Sequence, residues 1–203
     1  MIAAFDILGR YDTWTQEWHA ATPTMSMPEN DAKETLESAV QALHAANFEL
    51  WHTEDDARAP RADDSAIACA KRKIDRTNQR RNDQMEHCDA FLLVELAAQH
   101  LPHPSAELHS ETPGMMLDRL SILTLKRYHT LEEITRSNAP AGHADRNKER
   151  LNILERQRND LARCLDQLWA AILQGQRRFN IYRQLKMYND PALNPAVYKA
   201  IQQ

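Results

Sequence analysis

Leu50-Trp51-His52-Thr53-Glu54-Asp55-Asp56-Ala57-Arg58 is the stretch on which the fold prediction depends. It closes a predicted helix over residues 31–58, which stops before Pro60 because a residue that precedes proline disfavours helical geometry. The inward stripe of this helix steps by three and four residues through Leu36, Val40, Leu43, Asn47, Leu50, Glu54 and Ala57. A polar residue on a core stripe needs a partner, since burying it unpaired is costly. Asn47 and Glu54 therefore indicate a polar site inside a helical core.

Apolar spacing of three and four residues continues along the chain and predicts an all-α fold. We expect a single helical bundle of five or six helices, one domain over residues 1–203, with long helices and an extended C-terminal tail. The other predicted helices cover residues 2–20, 66–99, 113–136 and 145–175, followed by a further helical piece after residue 177 and an extended tail over 187–195. The predicted N-caps are Asn30, Asp63 and Thr112. No strand pattern is present.

Composition excludes several classes of function. The net charge of −4 gives the chain no general attraction to nucleic acid, and the basic run over 71–81 has no aromatic platform for stacking bases. Asp6 interrupts the N-terminus where a signal peptide needs an apolar run, and the apolar run over 91–101 is too short to span a bilayer. Three cysteines without a C-x-x-C pair suit a cytoplasmic location. The four glycines form neither a phosphate-binding loop nor a nucleophile elbow.

Two further segments, 71–83 and 111–121, carry polar residues at positions that face the predicted core. The start of the fourth helix is apolar on almost every side, yet it contains Asp118, Arg119, Ser121 and Lys126. Buried charges are tolerated when they are paired, and the candidate partners lie on the second and third helices. The sequence therefore predicts a polar, mixed-charge pocket between helices two, three and four. The leucine seam of the fifth helix favours packing within the bundle over a coiled-coil dimer and leaves homo-oligomerisation open.

Four segments carry a resemblance to a known family: W-H-T-E-D-D-A-R (51–58), K-R-K-I-D-R-T-N-Q-R-R-N-D (71–83), E-T-P-G-M-M-L-D-R-L-S-I-L-T-L-K (111–126) and K-M-Y-N-D-P-A-L-N-P (186–195). In matching order over nearly the whole chain, they resemble the bacterial family known as domain of unknown function 4254. The resemblance implies no reaction. It implies a setting beside glycosyltransferases in cell-envelope polysaccharide loci. His19 also matches a histidine of the family pattern near the end of the first helix.

The candidate site residues fall into two groups on these segments. For acid–base chemistry we consider His52, Glu54, Asp55, Asp75 and Asp118. For ligand binding we consider Trp51, Arg58, Lys71, Arg72, Asn78, Gln79, Arg81, Glu111, Arg119, Ser121 and Lys126. His52 and Asp55 lie three residues apart on one helical face, a spacing that can chelate a divalent metal, with a carboxylate from Asp75, Glu111 or Asp118 completing the site. The alternative reading of these charges is an ion-pair cluster that serves only the fold.

Three hypotheses about function follow. The first is an accessory protein of envelope-glycan assembly that binds a small anionic molecule, phosphorylated or resembling a nucleotide sugar. The second is a hydrolase or transferase acting on a phosphorylated substrate, with or without a divalent metal as its cofactor. The third is a structural partner of a glycosyltransferase that binds no ligand.

Overall fold

Five helices make up the described fold. The computed structural model describes residues 3–21, 35–185, 192–196 and 199. The helices are α1 (Ala4–Ala20), α2 (Leu36–Ala57), α3 (Asp64–Ala97), α4 (Pro113–Thr135) and α5 (His143–Leu173). The predicted all-α bundle is confirmed. In this part of the chain, no helix combines the length and the apolar character that crossing a membrane requires.

Side-chain caps explain where three of the helices begin. The Asp63 carboxylate accepts from the Ala66 amide at 2.7 Å, and the Thr112 hydroxyl accepts from the Met115 amide at 3.2 Å with Pro113 in the first helical turn. Both caps were predicted, because side-chain oxygens at these positions satisfy amides that the helix leaves free. Helix α2 begins at Leu36 rather than at residue 31, since Thr35 forms a reciprocal capping box with Ser38. The predicted cap Asn30 lies outside the described residues.

A short parallel strand pair corrects the prediction that the chain has no strands. Strand β1 (Glu107–Leu108) pairs with strand β2 (Arg177–Arg178). The predicted helix after residue 177 is wrong over 177–185, because Gly175 (φ 71°) ends helix α5 and backbone bonds then hold β2 against β1. Of the predicted extended tail over 187–195, residues 187–191 lie outside the described chain.

The core is built from apolar faces of all five helices and includes Phe179 directly after β2. The predicted seam of α5 is confirmed from Leu154 to Ile172. Arg158 lies on the same seam and is 8% exposed. Its guanidinium donates to the Leu8 carbonyl at 3.0 Å and to the Asp12 carboxylate at 2.7 Å. This buried cation therefore joins α5 to α1 instead of disrupting the core.

Helices α3 and α4 approach closely where α4 begins. The Gly114 amide donates to Asp89 Oδ1 at 2.7 Å, so a buried carboxylate of α3 receives a free amide of the first turn of α4. Burial raises the pKa of Asp89 to about 6, while hydrogen bonds from Thr112 and Gly114 act in the opposite direction. A Cβ atom on Gly114 would meet the Met85 carbonyl and lie 2.8 Å from Asp89 Cγ. Only glycine fits between the two helices at this point.

Replacing Gly114 tests this close approach. We expect Gly114→Ala to lower the free energy of unfolding by about 2 kcal/mol or more, because an added methyl group in a filled space forces backbone to move. Gly9→Ala is the matched control, since nothing lies within 4 Å of the added Cβ. It should stabilise helix α1 by up to about 1 kcal/mol. Urea denaturation of the two variants measures both effects, and equal unfolding midpoints would contradict the assigned helix contact.

Candidate metal centre

Three histidines from three helices meet at one point. His19 lies near the end of α1, His52 on α2 and His129 on α4. One ring nitrogen of each lies within 4.8 Å of those of the other two. The ring centroids form a nearly equilateral triangle, with separations of 5.1 Å, 5.0 Å and 5.6 Å. Within the described ranges, this is the one group of three or more histidine, cysteine or acidic side chains placed to share an ion.

The Nε2 atoms of these three histidines are buried and have no hydrogen-bond partner in the described structure. The Nδ1 atoms of two of them are engaged. His19 Nδ1 lies 2.7 Å from the Thr15 carbonyl, and His129 Nδ1 lies 2.7 Å from a carboxylate oxygen of Glu132. A carbonyl or an ionised carboxylate can only accept, so Nδ1 carries the hydrogen and Nε2 keeps a lone pair. Such a second bond is how proteins orient histidines that bind metals.

Aromatic rings hold the three imidazoles in place. Tyr128 stacks on His19 with centroids 4.1 Å apart, and Trp51 stacks on His129 at 4.6 Å with an interplanar angle of 8°. Phe48 contacts His52 edge-on at 4.5 Å. Packing of this kind restricts ring rotation. The nitrogens are therefore presented by rings with little freedom to turn away.

Burial also favours the neutral form of His52. Desolvation lowers the pKa of His52, positive charge on His19 or His129 would lower it further, and Asp55 and Asp56 act in the opposite direction. Neutral imidazole is the form that binds a metal ion.

The donor set decides which ions fit. Three imidazoles suit Zn²⁺ and neighbouring transition metals, whereas Mg²⁺ and Ca²⁺ prefer oxygen ligands. Zinc–nitrogen bonds of about 2.0–2.1 Å place tetrahedral ligand nitrogens roughly 3.4 Å apart. Small side-chain adjustments within the 4.8 Å group would therefore complete the coordination. The structure brings His19 and His129 to His52, where the sequence had suggested carboxylates.

The predicted polar residues between α2, α3 and α4 meet at Asp118, which is 3% exposed. Arg81 donates to both carboxylate oxygens, through Nε at 2.7 Å and through Nη2. Asn47 Nδ2 donates to the same carboxylate at 2.9 Å and to the Ser121 hydroxyl at 3.0 Å. These side chains form hydrogen bonds and an ion pair with one another, which is the arrangement expected of an ion-pair cluster that serves only the fold.

The remaining predicted acids do not join Asp118. Glu54 pairs with Arg58 at 2.6 Å, and Asp75 pairs with Lys71, each across one turn of its own helix at the surface. An exposed position one turn away satisfies these charges more easily than a buried one. The other predicted residues divide by exposure: Asp55 and Arg72 are exposed, and Asn78 and Gln79 are half-buried. The proposed catalytic set is thus dispersed, with His52 at the histidine cluster and Asp118 in the buried network.

Glu111, Arg119 and Lys126 lie together along a groove between α4 and α5. The groove encloses about 710 Å³ above a floor that includes Met116, Leu123 and Leu161. Arg119 pairs with Glu111. Arg119 and Lys126 are both exposed, so the prediction that they lie in a buried face of the fourth helix is wrong. The amphipathic period of α4 turns them towards the groove while Asp118 and Ser121 point inward.

His129 is not among the predicted site residues, and His19 enters only through the family resemblance. A signal for His129 was present, because Glu132 follows it by three residues and a carboxylate one turn away can orient an imidazole. His19 and His129 are 110 positions apart, so only the packing of α1 on α4 reveals their proximity.

The fold and the site define an all-α bundle protein with a candidate metal centre formed by three of its helices. The chain belongs to the family described as Protein of unknown function (DUF4254), whose model matches residues 37–181. His52 and His129 lie inside the matched segment, and His19 precedes it. Comparisons with curated proteins and with solved structures return no match.

His44 is a fully buried histidine on α2 whose ring nitrogens lie within hydrogen-bond distance of Thr15 and Ser121. It should make the free energy of unfolding depend on pH. Burial lowers its pKa from 6.5 to about 3. Below pH 6.5 the unfolded chain binds a proton that the folded protein does not bind until about pH 3, so stability falls as pH falls through this window. The stability advantage of wild type over His44→Gln should therefore shrink by up to about 1.4 kcal/mol per pH unit.

Urea denaturation between pH 3 and 7 measures this difference. The raised pKa of Asp89 acts in the opposite sense, since the folded state there binds more protons and loses stability as pH rises from 3.8 towards 6. That contribution is common to both proteins and cancels in the comparison. Parallel stability curves would show that His44 is not held neutral by the fold.

Proposed function

We propose that this protein binds a divalent transition-metal ion, Zn²⁺ foremost, through Nε2 of His19, His52 and His129, and that it is a metal-dependent hydrolase. The observation that carries the proposal is the set of three buried Nε2 atoms without hydrogen-bond partners in the described chain. It favours the second of the three functions inferred from sequence.

A structural role for these histidines explains their arrangement less well. His44, a buried structural histidine of the same core, has partners at both ring nitrogens. Leaving a buried polar atom unpaired costs roughly 1–3 kcal/mol, and three such atoms lie together in this cluster. A shared cation would bind all three lone pairs at once.

The number of ligands supports a catalytic ion. The described residues supply three, and a tetrahedral ion takes four. An ion held by His19, His52 and His129 would keep a position open to water, as zinc sites with three protein ligands do, and would lower the pKa of that water to about 7. It would thereby supply a nucleophile for the hydrolysis of a phosphate or carboxylic ester near neutral pH.

Metal binding provides the direct test. We expect one equivalent of Co²⁺ or Zn²⁺ to bind metal-free protein. His52→Ala and His129→Ala should each weaken binding by more than the roughly 10–100-fold that loss of a supporting partner costs. Isothermal titration and the visible spectrum of the Co²⁺ protein measure affinity and coordination number. His103→Ala is the matched control, since His103 is an exposed loop histidine outside the cluster.

The exchangeable position is tested on the same Co²⁺ protein with azide. A shift of the visible bands on azide addition shows that a small anion replaces water at the ion. Failure of the wild-type protein to bind either metal, or equal binding by His52→Ala, would refute the proposed centre. Tight metal binding without any azide response would leave a structural ion and refute the hydrolase.

A second candidate function is recognition of a small anionic molecule in the groove between α4 and α5. Its support is the placement of Arg119 and Lys126 along one side of an amphipathic cleft. Lys126 is exposed and lines the groove, which also carries the carboxylates of Glu111 and Asp160, so its ammonium group offers an anion a charged contact there. This cleft would suit a phosphorylated sugar or a nucleotide sugar from the envelope-glycan setting implied by the family resemblance. Failure of both sites would favour the remaining function, a structural partner of a glycosyltransferase.

Charge removal in the groove tests this second function. If uridine-diphosphate sugars raise the Tm of the wild-type protein, Lys126→Met should reduce that rise, because an exposed charge-assisted bond to phosphate is lost. Lys148→Met is the control, since Lys148 is an exposed lysine of α5 that already pairs with Asp145. Differential scanning fluorimetry over a ligand series gives the answer. An equal ligand response in both variants would remove the groove as the binding site.

A further inference from the structure

The helices that present the three histidines are joined deeper in the core by a buried hydrogen-bonded triad, Thr15–His44–Ser121. Thr15 lies on α1, His44 on α2 and Ser121 on α4, and all three are 0% exposed. Each precedes a histidine of the cluster on its own helix, by four residues for His19 and by eight for His52 and His129. At 1.5 Å per residue, these offsets are about 6 Å and 12 Å along the helices.

The hydrogens of the triad can be assigned from its bonds. Thr15 Oγ1 donates to the Tyr11 carbonyl at 2.7 Å, so it accepts from His44 Nε2 at 2.9 Å. His44 Nδ1 is then the acceptor and takes the Ser121 hydroxyl hydrogen at 2.7 Å. The Ser121 oxygen in turn accepts from Asn47. Every donor meets an acceptor in a single consistent pattern, which rules out easy sliding of one helix against another.

The triad is also connected to the cluster through one residue. The backbone carbonyl of Thr15 receives His19 Nδ1–H, while the side chain of Thr15 bonds His44. Phe48 lies on α2 one turn from His44 and one turn from His52, and it contacts both His19 and His52 edge-on. A shift of α1 relative to α2 would therefore move the triad, Phe48 and the histidine ligands together.

We propose, building on the metal centre above, that the Thr15–His44–Ser121 triad is the positioning device of that centre and that His44 is its central positioning residue. Metal ligands must converge to within a few tenths of an ångström, whereas apolar packing alone tolerates small displacements of helices. Directional bonds between the same three helices supply the missing precision. His44 thus acts on the ion through the helices, without contact with it.

The experiment separates positioning from stability. A triple variant, Thr15→Val, His44→Leu and Ser121→Ala, replaces all three members of the triad by apolar groups, so the bond it takes from a side chain outside the triad is the one that Asn47 donates to Ser121. We expect it to remain folded by circular dichroism, yet to bind Co²⁺ roughly 10–100-fold more weakly than wild type, with shifted visible bands. Ser121→Ala alone serves as a second variant that keeps His44 in place, and it should change affinity in the same direction.

Leu96→Ala is the matched control. It opens a cavity in the core on α3, a helix without a ligand of the cluster, so it should lower Tm and leave Co²⁺ affinity unchanged. If the triple variant and Ser121→Ala bind Co²⁺ as wild type does, or if Leu96→Ala weakens binding as much as they do, the positioning role is refuted and the metal centre stands. If wild-type protein binds no Co²⁺, the metal centre and the positioning role fail together.

Discussion

His44 forms the hydrogen bonds on which the arrangement of the helices depends. Its two ring nitrogens join α1 to α4 through Thr15 and Ser121, in a place fully removed from water. Burial keeps the imidazole neutral, and only a neutral ring can donate at one nitrogen and accept at the other. Asn47 and Asp118 extend the same network to Arg81 on α3. Four helices are thereby joined by bonds that have one satisfactory pattern.

Apolar packing and polar bonding have different tasks in this bundle. The leucine faces of α4 and α5 supply the burial that drives folding, but such faces allow several helix registers of similar energy. Buried polar groups remove that freedom, since any other register leaves a donor or acceptor unpaired. Arg158 does the same between α5 and α1, where its guanidinium bonds a backbone carbonyl and the Asp12 carboxylate.

The histidine cluster contrasts with this satisfied network. His44 has partners for both ring nitrogens, whereas His19, His52 and His129 each keep a buried Nε2 atom without a hydrogen-bond partner in the described structure and lie close enough together to share an ion. Within one protein, the same residue type thus occurs in two buried settings of opposite character. The first setting is that of a residue serving the fold, and the second is the one on which the proposed metal centre rests.

Local patterns in the sequence are enough to predict the all-α class, the caps at Asp63 and Thr112, the α5 seam and the inward position of Asn47 and Asp118. These follow from local rules, namely helical periodicity, capping chemistry and the cost of burying a polar group. The packing of the helices is needed to show that Glu54 and Asp75 pair on their own helices and that His129 lies beside His19 and His52. Periodicity gives the face of a helix on which a residue lies but does not state which residue of another helix lies opposite. Which residues lie opposite one another depends on the register and crossing angles of the helices. Long-range packing and the buried hydrogen bonds of His44 establish both together.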